Sequence, residues 1–388
     1  MRLGVNGWRI HGKRTGVGRY LLNIVKHWTA DAVAGRFEEI NFYTQKPIDR
    51  REISLPENIS ERVLNSKWPM LVWENLRLAP VTTDDVLFCP SYSRPLLARG
   101  KTVVTTHEAL SEMYPELFPF SVRLFYTRLY GWSARRATLV LTPTETARQD
   151  IVRYYGVSPS RIRVVPLAPA EVFRPLQDDT RVHKVQEQYL GSSAPFFLFV
   201  GKLTARRNVP KLMEAFAELK RQTTLPHKLL VIGLNTTNLN LTELATNLGI
   251  RNDFKHFGYV PDEDLAVLYG GAEAFVMPYI YEAVSLTALE AQATGTPVIC
   301  TNTSGLRETT GGAAILMTKA EVPEMVEAMS RLAGDPALRR ELAEKGLAHA
   351  QRFSWQRCSA ETLAVLEEAA HLSAPLAHVK ARGGNCSV

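Results

Sequence analysis

Short, uninterrupted apolar runs recur along this chain, separated by stretches long enough to form a helix; Phe197-Leu198-Phe199-Val200 and Leu229-Leu230-Val231-Ile232 are the clearest. A strand that is apolar at every position has no face to give to water, so it must be buried on both sides, as in a parallel sheet covered by helices. Strands are expected near Arg2–Asn6, Ile40–Tyr43, Val86–Cys89, Thr102–Thr106, Thr138–Thr142 and Arg163–Val165. A second series is expected near Phe196–Val200, Lys228–Ile232, Ala274–Met277, Val298–Cys300 and Ala314–Leu316. The strand–helix alternation runs twice, and 388 residues exceed what one core usually supports. The reading is therefore α/β, with two Rossmann-like, doubly wound domains facing each other across a cleft.

The first domain is assigned to residues 1–175, a polar linker to 176–195 with a short helix around Val182–Tyr189, and the second domain to 196–354. A last helix over 355–372 is expected to pack back toward the first domain, and 373–388, with Pro375 and Gly383-Gly384, to form a disordered tail. No run of 18 apolar residues is present, and the chain opens directly on a strand-like segment rather than a basic-then-apolar leader. A cytoplasmic protein is expected, with peripheral attachment to the inner face of the cell membrane kept open. The four cysteines (Cys89, Cys300, Cys358, Cys386) are far apart and include no C-x-x-C pair, which argues against a zinc site or disulfide framework.

Charge is uneven. Residues 1–180 hold 25 Lys and Arg against 18 Asp and Glu, whereas 181–388 hold 21 of each. A basic first half suits an anionic partner, although a generally basic surface explains it equally well. Nucleic acid has no motif to support it.

In open α/β sheets the chemistry lies beyond the carboxyl ends of the strands. Two segments there stand out. Glu282-Ala-Val-Ser-Leu-Thr-Ala-Leu-Glu290 follows one strand and enters a helix. The backbone amides around Ser285 and Leu286 would be that helix's unpaired donors, suited to an anion, with a carboxylate on either side for hydroxyls. Gly201-Lys202-Leu203-Thr204-Ala205-Arg206-Arg207-Asn208 follows another strand and supplies three cations beside a glycine, a plausible phosphate clamp. Taken singly, each is equally an ordinary helix with solvated glutamates or a solvated basic turn.

Taken in order, these segments resemble the retaining glycosyltransferases of family 4, which have the GT-B fold. The resemblance also rests on Gly16-Val17-Gly18-Arg19-Tyr20, Thr106-His107-Glu108, Thr142-Pro143-Thr144-Glu145-Thr146, Phe257-Gly258-Tyr259-Val260-Pro261-Asp262 and Phe353-Ser354-Trp355, and spans about residues 1–370. It implies transfer of a sugar from a nucleotide-sugar donor to an acceptor hydroxyl in glycan, polysaccharide or glycolipid synthesis. The anomeric configuration is retained, and no metal or other cofactor is needed. It puts Glu282 on the donor sugar, Glu290 on the ribose, and Lys202 and Arg207 on the pyrophosphate, with the family's Arg and Lys exchanged in position. His107 lies near the donor sugar, and Gly16-Val17-Gly18 approaches the phosphate and the acceptor. Base contacts come from backbone near Val260 and side chains around Leu265. The implied catalytic set is Glu282, His107, Lys202 and Arg207. Two departures stand out: Glu108 where aspartate is frequent, and Ala283, Val284, Ser285 and Thr287 where the family's loop carries glycines and a proline.

Asp262-Glu263-Asp264 has the look of an Asp-x-Asp metal site, but it opens a helix, where acids cap the terminus and favour the dipole. The stretch Phe118–Arg136 mixes aromatics with arginines. It reads as a helix with an apolar core face and snorkelling arginines, or as a contact with an anionic membrane that holds a lipid-linked acceptor. A nicotinamide oxidoreductase lacks its third fingerprint glycine here. A non-catalytic scaffold of the same fold and a sugar-nucleotide epimerase remain as alternatives.

Overall fold

The computed structural model describes residues 1–11, 16–51, 53–118, 120, 122–176, 179–237 and 239–372. The expected tail at 373–388, with Cys386, lies outside these residues, as do positions 177 and 178 of the linker. Seven strands form the first sheet: β1 (Arg2–Asn6), β2 (Glu39–Thr44), β3 (Ile59–Val63), β4 (Val86–Cys89), β5 (Lys101–Thr105), β6 (Leu139–Thr142) and β7 (Ile162–Val164). Six form the second: β8 (Phe196–Val200), β9 (Lys228–Ile232), β10 (Phe254–Phe257), β11 (Ala274–Met277), β12 (Val298–Thr301) and β13 (Ile315–Met317). The orders are β3-β2-β1-β4-β5-β6-β7 and β10-β9-β8-β11-β12-β13. Every pairing is parallel, with Leu3 opposite Ile40 in one sheet and Phe197 opposite Leu229 in the other.

Two strands were not expected, and both are sheet edges. β3 (Ile-Ser-Glu-Arg-Val) alternates between buried and open positions, and three of the four residues of β10 (Phe-Lys-His-Phe) are half-buried. An edge strand needs no continuous apolar run, so it lacks the signal that marked the central strands. The linker helix is longer than the expected 182–189, running Asp179–Leu190, and it packs on the helix Asp262–Gly271.

Each sheet winds outward from its first strand, so strand order reverses between β1 and β4 and again between β8 and β11. Those reversals open the crevices where ligands sit in such sheets. The cores explain why the two halves stay together. Phe196–Val200 and Leu229–Ile232 are buried in the second core with Phe216, Leu268 and Phe275. The last helix, Trp355–His371, does not stay with that core. Its Trp355, Cys358, Leu363 and Leu366 pack among Leu21, Ile24, Val25 and Val86 of the first domain, and Ser359 Oγ donates to the Ile24 carbonyl at 2.9 Å.

A further seam joins the domains beside the cleft. Thr144 Oγ1 donates to the Ala283 carbonyl at 2.9 Å. The Glu308 carboxylate accepts from the Glu145 amide (2.7 Å), the Thr146 amide (2.9 Å) and Thr146 Oγ1 (2.8 Å). It thereby supplies an anion, from the other domain, to the N-terminus of the helix Glu145–Tyr155. Leu110, Ala147, Tyr281 and Ala283 form an apolar cluster behind it. Cys89, Cys300 and Cys358 are buried and unpaired with one another. Among the described residues no helix is long and apolar enough to cross a membrane.

Candidate functional site

The turn after β8 is shaped by one glycine. Gly201 has φ +147°, and a Cβ there would lie 1.5 Å from Arg207 Nη1, so the guanidinium occupies the space that any other side chain would take. The 3-10 turn Ala205–Arg207 follows, ending on Asn208 in the left-handed region (φ 54°). Successive residues of such a turn point about 120° apart. Arg206 and Arg207 consequently leave it in different directions. Arg207 sits over the Tyr279 ring, 5.0 Å from its centroid. Arg206 donates to the Tyr281 carbonyl at 2.7 Å and ion-pairs with Glu282.

Glu282 follows β11 on an extended loop, and the helix Leu286–Ala293 begins four residues later, capped by Ser285 Oγ on the Ala288 amide (3.2 Å). The loop is held against the start of the helix Ser304–Thr310 at Gly305, where a Cβ would meet the Glu282 carbonyl at 2.1 Å. Tyr281 OH bonds Asp150 of the first domain. Glu282 is therefore fixed from both sides of the cleft.

From the first domain, the loops after β4 and β5 bring in Tyr92, His107 and Glu108. His107 is buried, hydrogen-bonded to the Pro90 backbone and edge-on to Tyr20 (5.2 Å) and Tyr92 (5.4 Å). Burial lowers its pKa to about 4, so the ring is neutral around pH 7, and its Nε2 has no partner. Tyr92 is held in the left-handed region (φ 58°), stacked on Tyr130 at 4.9 Å. A non-glycine residue in that region costs of order 1 kcal/mol or more and is commonest where a site demands it. Glu108 has its pKa raised to about 7 by burial, with Arg206 opposing and Glu282 adding to the rise. Arg206 is buried as well, which works against its charge, but Glu282 and Glu108 more than offset that and keep it protonated.

Glu290 lies in the second turn of its helix, 4% exposed. Arg19, from the first domain, pairs with Asp262 and comes within 3.5 Å of Glu290. Burial raises the Glu290 pKa to about 7, with Arg19 opposing.

The structure thus brings together Arg207, Glu282 and Glu108, with His107 alongside, and adds Arg206, Tyr92, Tyr279 and Tyr281. Glu290 stands one step away, through Tyr269. Lys202 is exposed on the same strand-end turn, and its side chain makes no hydrogen bond or ion pair with a described residue. Gly16, Val17 and Gly18 open the helix Gly16–Lys26 that carries Arg19. Val260 (3% exposed) and Leu265 (5%) belong to the second core and offer a ligand little side-chain surface, whereas Tyr259 between the strand and Val260 is 76% exposed.

Two expectations need correction. The helix Asp262–Gly271 is capped by Pro261 without any side-chain hydrogen bond. Asp262 and Asp264 do lie in its first turn, but their carboxylates go to Arg19 and to Tyr189 OH (2.9 Å) respectively. In the Phe118–Arg136 stretch, the buried face of the helix Arg128–Arg136 is made by Gly131, Ser133 and Ala134. Phe120 (68%) and Phe125 (64%) are exposed, so they are not core residues.

Arg206 was visible in the sequence only as one of three clustered cations, and Arg19 only as a letter within a motif. Their partners lie 76, 243 and 271 residues away, a separation that no local spacing reveals.

Comparison with known proteins agrees with this architecture. Residues 183–349 match the family model for glycosyl transferases group 1, and residues 14–168 match that for Glycosyltransferase Family 4. The chain is 27% identical to the O-antigen chain mannosyltransferase B of Escherichia coli over 368 residues, 90% of this chain and 95% of that one. It is 31% identical to the MMP alpha-(1->4)-mannosyltransferase of Mycolicibacterium hassiacum over 241 residues, 61% of this chain and 55% of that one. The crystal structure of Anabaena HepE in complex with UDP-glucose superposes with a TM-score of 0.73 at 19% identity, covering 94% of this chain and 98% of that one. On these grounds the chain is a glycosyltransferase and belongs to family 4, on the GT-B fold.

Proposed function

We propose that the chain moves a hexosyl group from a nucleoside diphosphate sugar to an acceptor hydroxyl with retention of anomeric configuration. The observation that carries this reading is the cross-cleft cluster: Arg207 and Arg206 beside Glu282 on one side, and the neutral, unpartnered Nε2 of His107 on the other. A diphosphate needs fixed positive charge, and a sugar needs donors and acceptors for its hydroxyls; both are present at one place. Lys202 and Arg207 hold the pyrophosphate, Glu282 and His107 the sugar, and Glu290 the ribose. The Ser285 amide is not the unpaired donor expected of it, since it donates to Thr309 Oγ1 at 3.4 Å; the Leu286 amide, the helix start at Gly16-Val17-Gly18 and the backbone at Val260, with Leu265 behind it, complete the donor pocket.

In the reaction the acceptor oxygen bonds to the anomeric carbon while the bond from that carbon to the β-phosphate oxygen breaks, on the same face. The acceptor's proton passes to the departing phosphate oxygen. Breaking the carbon–oxygen bond ahead of that proton transfer leaves its electron pair on the diphosphate, where preorganised cations lower the barrier without a metal. Mannose is the first sugar to test, because the full-length relative is named a mannosyltransferase of the O-antigen chain. A growing glycan, free or lipid-linked, is the matching acceptor. Exposed Phe120 and Phe125, with Arg123 lying 5.7 Å from the Phe120 ring centre, support peripheral contact with an anionic membrane.

The test is thermal stabilisation by UDP-, GDP-, ADP- and dTDP-sugars, followed by NMR of the product made from the donor that binds. A donor at a hundred times its dissociation constant stabilises by about 2.7 kcal/mol. Retained configuration, with release undiminished by EDTA, is expected. Inverted product, a requirement for added metal, or donor epimerised without any acceptor would each defeat the reading.

A further inference from the structure

The carboxylate of Glu290 is buried, yet neither of its side-chain contacts is close: Arg19 Nη1 stands 3.5 Å from one oxygen and Tyr269 OH 3.5 Å from the other. At that length a hydrogen bond is weak. Glu74, also buried, shows what satisfaction looks like here, with Asn6 Nδ2 at 2.8 Å and Ser93 Oγ at 3.2 Å from each oxygen. An ionised carboxylate can accept about four hydrogen bonds, so Glu290 retains capacity for two vicinal hydroxyls.

Arg19 is placed so as not to use that capacity up. Its Nη2 is anchored by Asp262, which leaves Nη1 facing Glu290 at a distance where charge acts but the lone pairs stay free. We propose that Arg19, carried by the acceptor-side domain, is a positioning residue that sets its charge against Glu290 while leaving the carboxylate open to the donor's ribose, so the donor pocket is complete only when both halves of the cleft are together. This rests on the reading of Glu290 as the ribose ligand given above. The groups acting on Glu290 are Arg19 from the helix Gly16–Lys26, and Asp262 and Tyr269 from the helix Asp262–Gly271. The helices Ser304–Thr310 and Pro336–Ala350, which also pack on its helix, add no charged group to that set among the described residues. Burial and Asp262 favour the protonated form; among the described residues Arg19 is the one cation set against them.

The experiment measures binding of UDP-glucose and GDP-mannose between pH 5.5 and 8.5, a range in which their phosphates do not titrate, and carries forward whichever binds the parent chain. Parent affinity should fall as pH drops through about 7. In Arg19→Ala the midpoint should move up by a unit or more, which weakens binding at least about fivefold at pH 7 and about tenfold at pH 6, since one pKa unit is a factor of ten. Binding should recover toward pH 8.5. Arg19→Lys, which keeps the charge, should restore most of the parent profile, and Glu290→Gln should erase the pH dependence with or without Arg19. An Arg19→Ala profile parallel to the parent's, with the same loss at pH 6 and 8.5, would overturn the proposal. If neither nucleotide sugar binds the parent at any pH, the donor reading itself fails and the role of Arg19 falls with it.

Discussion

Replacing Arg206 with alanine removes the ion-pair partner that Glu282 has among the described residues. The Arg206 side chain is 15% exposed and that of Glu282 10%, so both charges are largely out of water. Taking away one member of a buried pair costs about 3–5 kcal/mol, because the other is left uncompensated. Arg206→Ala should therefore lose about 3 kcal/mol in urea unfolding at pH 8. The loss should depend on pH, and its sign follows from the acids left behind. Glu108, whose pKa burial lifts to about 7 with Arg206 opposing the rise, is pushed higher still once Arg206 is gone. The variant's folded state then binds this proton more tightly than the parent's does, so the deficit relative to the parent grows as pH rises through about 7. At pH 5, where Glu108 is protonated in both folded proteins, the deficit should be smaller than at pH 8. A second variant separates fold from function: Arg206→Met with Glu282→Leu should regain most of the stability, since an apolar pair can replace a buried ion pair, but should not bind donor. A loss of equal size at pH 5 and pH 8, or below about 1 kcal/mol throughout, would refute the view that Arg206 is the buried counter-ion of this site.

Gly201→Ala should fold but turn over at least tenfold more slowly, because its methyl group displaces the Arg207 guanidinium; a parent-like kcat/KM would remove Arg207 from the clamp. With donor saturating, so that the Glu290-dependent loss of binding drops out, Glu108→Gln should flatten the acid limb of kcat near pH 7, as read from initial rates between pH 5 and 9. Glu308→Ala strips three hydrogen bonds from the helix Glu145–Tyr155 and should cost about 1–2 kcal/mol in unfolding, with a raised donor KM.

The central strands were legible because burial on both faces leaves no choice of residue type; Phe196–Val200 can hardly be anything else. β3 and β10 escaped because an edge strand tolerates Ser, Glu, Arg, Lys and His. At the site, motif order located the loops, but it could not decide which side chain of a loop faces inward. Arg206 and Arg207 are neighbours of identical chemistry, and only the tight turn, with Gly201 beside it, sends one to Glu282 and the other over Tyr279. Phe120 and Phe125 show the opposite failure: aromatics in a helical stretch suggest a core, yet these stand in water, ahead of the helix Arg128–Arg136 whose buried face is made by Gly131, Ser133 and Ala134.

Both carboxylates assigned to the donor share one structural circumstance. Each belongs to the second domain and has its environment set by the first. Glu282 is reached through Thr144 on Ala283 and Asp150 on Tyr281, and Glu290 through Arg19. The +7 excess of the first half need not mark a separate anionic ligand in full, since Arg19 is neutralised by acids of the balanced half. A cleft assembled in this way couples donor affinity to domain apposition by construction. Loosening the seam at Glu308 should then weaken the donor even though Glu308 itself belongs to neither the clamp nor the sugar site.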